Sequence, residues 1–190
     1  MPTNLPTGLR FSDGANPMSV LLCTSNYRAA FGLPEKLVVP ENESNALLGP
    51  WYANTLFIGS QRYLHYMSSR TLLPIVIWLR ERSTAETRMI SAVKELLLQI
   101  GAPNAAVEAE MEALTSLAYG RATDRSRLAS MRDQKVTAKH FVHGGRSSSP
   151  WDMTIDLSQM PSGALAYRTP LEETAQLLKA GAVWRRLTSV

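Results

Sequence analysis

Ser83-Thr84-Ala85-Glu86-Thr87-Arg88-Met89-Ile90-Ser91-Ala92-Val93-Lys94-Glu95-Leu96-Leu97-Leu98-Gln99-Ile100-Gly101 carries the strongest periodic signal in the chain. Met89, Ile90, Val93, Leu96, Leu97 and Ile100 recur at three- and four-residue spacing, which draws one apolar stripe down an α-helix. Ser83 and Glu86 stand at capping-box spacing ahead of it, and Gly101 stands where a helix stops. A helix with one apolar stripe must bury that stripe against another layer, so its neighbours in sequence set the architecture.

Downstream, Asn104 is placed to cap a second helix in which Val107, Met111, Leu114 and Ala118 share a face. Glu108, Glu110 and Glu112 load its first half with negative charge, and Ala102-Pro103 joins the two helices as an antiparallel pair. Upstream, Trp51 to Ile58 is aromatic and β-branched, Gly59-Ser60-Gln61-Arg62 reads as a turn, and Tyr63 to Met67 as the returning strand of a hairpin. Leu72 to Trp78 follows as a third strand, which Pro74 pushes to a sheet edge. These patterns predict an α+β fold: a small antiparallel sheet packed against a helical hairpin and one or two further helices.

Residues 1–17, with Pro2, Pro6, Gly8, Gly14 and Pro17 among polar neighbours, read as a flexible arm, and residues 18–190 as a single α+β domain. Met18 to Thr24 looks like a buried strand, followed by a short helix at Tyr27 to Phe31 closed by Gly32 and Pro34. Glu41 to Ser44 reads as loop. After Gly120, two periodicities compete: Leu128, Met131 and Lys135 follow helical spacing, whereas Val136, Ala138, His140 and Val142 alternate as a strand would. Arg146 to Pro150 reads as a Ser-rich linker. Met153 to Leu157 and Ala164 to Tyr167 read as strands turning at Pro161-Ser162-Gly163. Thr169-Pro170-Leu171-Glu172 opens a last helix through Leu177 and Leu178.

At 190 residues the chain has the length of one domain, and its 45% hydrophobic and 19% charged residues are far from the composition of disordered proteins. Cys23 is the single cysteine, so a disulfide framework is ruled out and a reducing compartment expected. With three histidines and no metal-binding spacing, neither a metal nor a cofactor is expected. The best apolar run, Leu72 to Leu79, is too short to span a bilayer. Met18 to Cys23 is likewise too short for the apolar core of an export signal, and a cytoplasmic location is expected. The net charge of +4 permits nucleic acid as a partner without demanding it.

Gly-x-x-x-x-Gly-Lys-Ser/Thr, Gly-x-Gly-x-x-Gly and Gly-x-Ser-x-Gly patterns are all missing. Cys23 in an apolar strand reads as a small core residue rather than a nucleophile. The densest chemistry is Arg121, Arg125, Arg127 and Arg132, set against Asp124 and Asp133. Guanidinium groups near a helix start suit phosphate, and would supply the contacts to nucleic acid. The same arginines also suit bracing of a helix pair through Asp124 and Asp133, and bracing is the favoured reading. Trp51, Tyr52, Tyr63 and Tyr66 read as core and cross-strand packing before they read as stacking faces for bases.

Four stretches resemble the uncharacterised bacterial family known as domain of unknown function 6933, DUF6933. They are Met18 to Thr24, Gly49-Pro50-Trp51-Tyr52-Ala53-Asn54, Thr123 to Asp133, and Met160 to Leu165. The family pattern carries Asn where this chain has Arg132. The resemblance implies no settled activity. It singles out Trp51, Asn54, Asp124, Arg125, Ser126 and Asp133, which would make a site if they converged in one cleft and caps and braces if they did not. The expectation is a non-catalytic bacterial interaction or regulatory module from an accessory or mobile gene set, whose partner is another protein. Nucleic-acid binding through Arg121 to Arg132 is the alternative, and an enzyme of unrecognised type the third. Oligomeric state is open.

Overall fold

Five strands and six α-helices emerge in the computed structural model, which describes residues 19–34 and 44–179. The expected arm at residues 1–17, Met18, the loop at Glu41 to Glu43 and residues 180–190 lie outside the described residues. The elements are β1 (Ser19–Cys23), α1 (Ser25–Phe31), β2 (Trp51–Ile58), β3 (Gln61–Ser68), β4 (Pro74–Trp78), α2 (Ala85–Gln99), α3 (Asn104–Leu114), β5 (Leu117–Arg121), α4 (Arg125–His143), α5 (Pro150–Ser158) and α6 (Pro170–Leu177).

The fold is α+β, built on one five-stranded sheet in the order β4-β3-β2-β1-β5. β2, β3 and β4 form the antiparallel meander that the aromatic and β-branched runs predict, with Leu56 opposite Tyr63 and Tyr66 opposite Ile75. Pro74 sits on the edge strand, where its missing N–H removes no ladder bond. Beyond the meander the sheet is mixed, because β1 pairs parallel with both β2 and β5. That central position explains the composition of β1: every residue from Ser19 to Cys23 is buried, as expected of a strand covered on both faces.

Alternation along the strands sends side chains to two helical layers. On one face Leu21, Trp51, Ala53, Leu64, Tyr66 and Ile75 pack with Tyr27 of α1, Met89, Val93, Leu96 and Leu97 of α2, and Val107 and Leu114 of α3. On the other, Val20, Leu22, Tyr52 and Met67 meet Met131 of α4. Leu56, Ile58, Tyr63 and Val76 meet Ala138 of α4 and Met153 and Leu157 of α5. The α2 stripe is therefore buried as its spacing requires. Among the described residues no helix is long and apolar enough to cross a membrane.

Several expectations are corrected. Leu117 to Arg121 is a strand, not the end of the second helix; it pairs residue for residue with β1, a partner about a hundred positions away that no local pattern reveals. Met153 to Leu157 lies within a helix, and Ala164 to Tyr167 begins in a 3₁₀ turn, Gly163–Leu165, and runs on into left-handed backbone at Ala166 and Tyr167. Ser149 makes a full capping box with Asp152, and Pro150 at the first helical position commits the following residues to helix. The apparent alternation there reflects a helix buried on most sides. Arg146 to Pro150 is no loose linker, since Ser147 donates to Asp156 at 2.6 Å and Ser148 to Asp152 at 2.6 Å. At α2 the Ser83 capping box is replaced by a 3₁₀ turn over Arg82–Thr84, and α3 is entered from Pro103 without a side-chain cap. The competition after Gly120 resolves to one unbroken helix, α4.

Candidate functional site

β1 and β5 lie side by side and parallel, yet the chain leaves them toward opposite faces of the sheet. β1 runs into α1, which packs on the face of α2 and α3, whereas β5 runs into α4 on the other face. Two diverging exits leave a crevice beyond the carboxyl ends of the strands, the place where open α/β sheets bind ligands. A cleft of about 370 Å³ occupies that crevice.

Its floor comes from Cys23 and the turn after β1, Thr24, Ser25 and Asn26, together with Asn54 of β2. Arg121 and Ala122 border it from the end of β5, Leu128, Arg132 and Lys135 from α4, and Arg28 from α1. Leu128, Arg132 and Lys135 are four and three residues apart, so one helix face presents all three. The two turns are tied together: the Thr24 amide donates to the Ala53 carbonyl at 3.0 Å and the Ala122 amide to the Cys23 carbonyl at 3.2 Å.

Asn54 is fixed by two donors. Thr24 Oγ1–H donates to Asn54 Oδ1 at 2.9 Å, and the Thr55 backbone N–H donates to the same oxygen at 2.8 Å. A backbone N–H has no acceptor capacity, so the side-chain oxygen must face it and the Asn54 NH₂ is left as a donor. Thr24 is held from a second side, because its hydroxyl also accepts from the Tyr27 amide at 3.3 Å as the cap of α1. The Cys23 thiol donates to the Leu21 carbonyl at 3.4 Å. Burial foremost, with the Glu86 carboxylate adding, pushes the thiol far above its ordinary range and keeps it protonated.

The six positions singled out by sequence occupy four places. Asn54 lies in the cleft. Trp51 is fully buried on the opposite face, where its indole N–H donates to Glu110 Oε1 at 3.3 Å and the Leu48 amide donates to Oε2 at 3.1 Å. Burial pushes the Glu110 carboxyl up, against the pull of those bonds and of the Arg70 cation. Asp124 caps α4, accepting from the Ser126 and Arg127 amides at 2.8 and 3.2 Å, with Arg125 and Ser126 exposed beside it. Asp133 points to a separate cavity of about 140 Å³ between α4 and the Met160 to Gly163 segment. Of the four arginines, Arg121 and Arg132 reach the cleft, whereas Arg125 and Arg127 do not line it. Neither Asp124 nor Asp133 forms an ion pair with them among the described residues.

Sequence reasoning missed Thr24, Ser25, Asn26, Arg28 and Lys135. A usable signal existed in the polar Thr24-Ser25-Asn26 directly after a fully apolar strand, and in the spacing of Lys135 from Leu128. Among the described residues no three His, Cys, Asp or Glu side chains converge as metal ligands would.

Fold and cleft together define a mixed α+β protein with a cation-lined crevice at the ends of its parallel strands. The chain belongs to the family described as domain of unknown function, DUF6933, whose model matches residues 20–173, from β1 into α6 and across every residue of the cleft. No match to the chain was found among curated proteins or solved structures.

Proposed function

We propose that this protein is a non-catalytic recognition module that binds an anionic ligand in the crevice between α1 and α4. One observation carries the reading: Arg121, Arg132 and Lys135 border the cleft with Arg28, and among the described residues no carboxylate lines it. Cations and amide donors can hold and orient a ligand. Proton transfer calls for a titratable group near neutrality, and the thiol that borders this cleft is held protonated by burial.

Thermal-shift measurements against anionic, neutral and cationic small molecules at low ionic strength test this. Anionic compounds should raise Tm for the native protein and fail to do so for an Arg121→Ser/Arg132→Ser variant. Stabilisation by neutral compounds that persists in the variant, or turnover of a bound compound, would remove the reading.

Nucleic acid is the second reading, supported by Arg125, which is exposed and stands two turns before Arg132 on the same face of α4. A basic strip then leads out of the cleft. It requires that binding of a labelled single-stranded oligonucleotide fall steeply with salt, by about 0.7 in log affinity per log salt for each phosphate held. A flat salt response would exclude it.

A further inference from the structure

We infer that the cleft is a phosphomonoester site, with the phosphoryl group held among Arg121, Arg132, Lys135 and the Asn54 amide. The inference rests on the anion-binding reading above and specifies the chemistry of the ligand.

Hydrogen-bond direction is the first ground. Asn54 Oδ1 is consumed by Thr24 and the Thr55 amide, so Asn54 offers the cleft only its NH₂. The side chains of Arg121, Arg132 and Lys135 have donors alone, and none of these side chains makes a hydrogen bond or ion pair among the described residues. The group that satisfies such a set carries acceptors and no donor, which is an oxyanion.

Charge is the second ground. A carboxylate or a phosphodiester brings one negative charge, and a single guanidinium suffices to hold it. Three cations that are unpaired among the described residues stand around one crevice, with Arg28 beside them, and match a dianion. A phosphomonoester carries that second charge above a pKa of about 6 and presents three acceptor oxygens to planar guanidinium forks.

Shape is the third. A volume of about 370 Å³ exceeds what a phosphoryl group fills and stands near the lower end of pockets that enclose small organic ligands. Leu128 and Ala122 give the remaining space an apolar wall suited to a small organic moiety. Position agrees, since the crevice lies at the switch point between β1 and β5.

Phenyl phosphate and phenyl sulfate, a dianion and a monoanion of nearly the same shape, are the deciding probes, titrated calorimetrically into the full chain at pH 7.5 and pH 5. Phenyl phosphate should bind at least about tenfold more tightly than phenyl sulfate at pH 7.5, and lose most of that advantage at pH 5 as its second charge is neutralised. Arg132→Gln and Lys135→Gln, both at the surface of α4, should each weaken it severalfold. Asn54→Asp keeps the two bonds to Thr24 and Thr55, replaces the NH₂ with an anionic oxygen, and should weaken it more than tenfold with Tm little changed. Equal affinity for the two probes at pH 7.5 would overturn the phosphomonoester inference and leave anion binding standing. Failure of both probes, with no stabilisation by any anion, would overturn both. A single-stranded oligonucleotide that binds more tightly than phenyl phosphate, and is not displaced by it, would also overturn the inference.

Discussion

His65 is 1% exposed, and its environment makes a pH response unavoidable. Its Nε2 lies 2.8 Å from Gln134 Oε1, while Gln134 Nε2 donates to the Leu72 carbonyl at 2.8 Å. The Gln134 oxygen therefore faces the ring, and Nε2 carries the proton of a neutral imidazole. Burial foremost, with the Lys135 cation adding, lowers the His65 pKa to about 4 against the partial support of Gln134. Between about 6.5 and 4 the unfolded chain binds the proton and the folded one refuses it. The stabilising effect of the neutral ring is complete above pH 6.5 and is lost as pH falls toward 4, by on the order of 3 kcal/mol. Urea denaturation at a series of pH values should show this decline in the native protein and a flatter profile in His65→Asn. Equal slopes in the two would contradict the account. Sequence alone gives no reason to bury His65, because the partner that satisfies it, Gln134, is 69 positions away.

At the scale of elements, α4 brings Arg132 and Lys135 to the cleft and Met131 and Ala138 to the core. Its start is fixed by Asp124, whose carboxylate accepts from two backbone amides that the helix itself leaves without partners. Asp124→Ala should lower stability by about 1 kcal/mol, read from the denaturation midpoint. Arg132 lies two turns further on and is held by core packing of the helix, so affinity for phenyl phosphate should change less than about twofold. A tenfold loss of affinity at unchanged stability would instead make Asp124 a contact residue. The helix was only half legible beforehand. Alternation at Val136, Ala138, His140 and Val142 competes with helical spacing, and Ala138 alone of the four is fully buried. Val136 and His140 lie on the solvated side of the helix and Ala138 and Val142 on the packed side, so the strand-like alternation is a coincidence of helical spacing.

For the molecule as a whole, β1 is the keystone: it is sandwiched between two helical layers and hydrogen-bonded to β2 and β5. Amides from Val20 to Cys23 should exchange with solvent only on global unfolding, those of α6 considerably faster by local opening, as hydrogen-exchange mass spectrometry can read. Protection of α6 equal to that of β1 would mean the fold opens as one unit. The same arrangement makes the crevice, since a central parallel strand whose neighbour exits to the opposite face cannot close over its own carboxyl end.

What the chain determines by itself is local. The stripe from Met89 to Ile100, the hairpin at Gly59-Ser60, the edge position of Pro74 and the capping box at Thr169 follow from spacing and from backbone groups satisfied within a few residues. The residues of Met18 to Thr24, Gly49 to Asn54, Thr123 to Asp133 and Met160 to Leu165 also carried the family. Tertiary structure alone decided that Leu117 to Arg121 is a strand, that Trp51 and Asp133 stay apart from Asn54, and that Arg121, Arg132 and Lys135 meet around it. The physical reason is separation along the chain. Parallel pairing and the crevice join segments about a hundred residues apart, and periodicity, which acts over a few turns, holds no record of which strand will lie beside which.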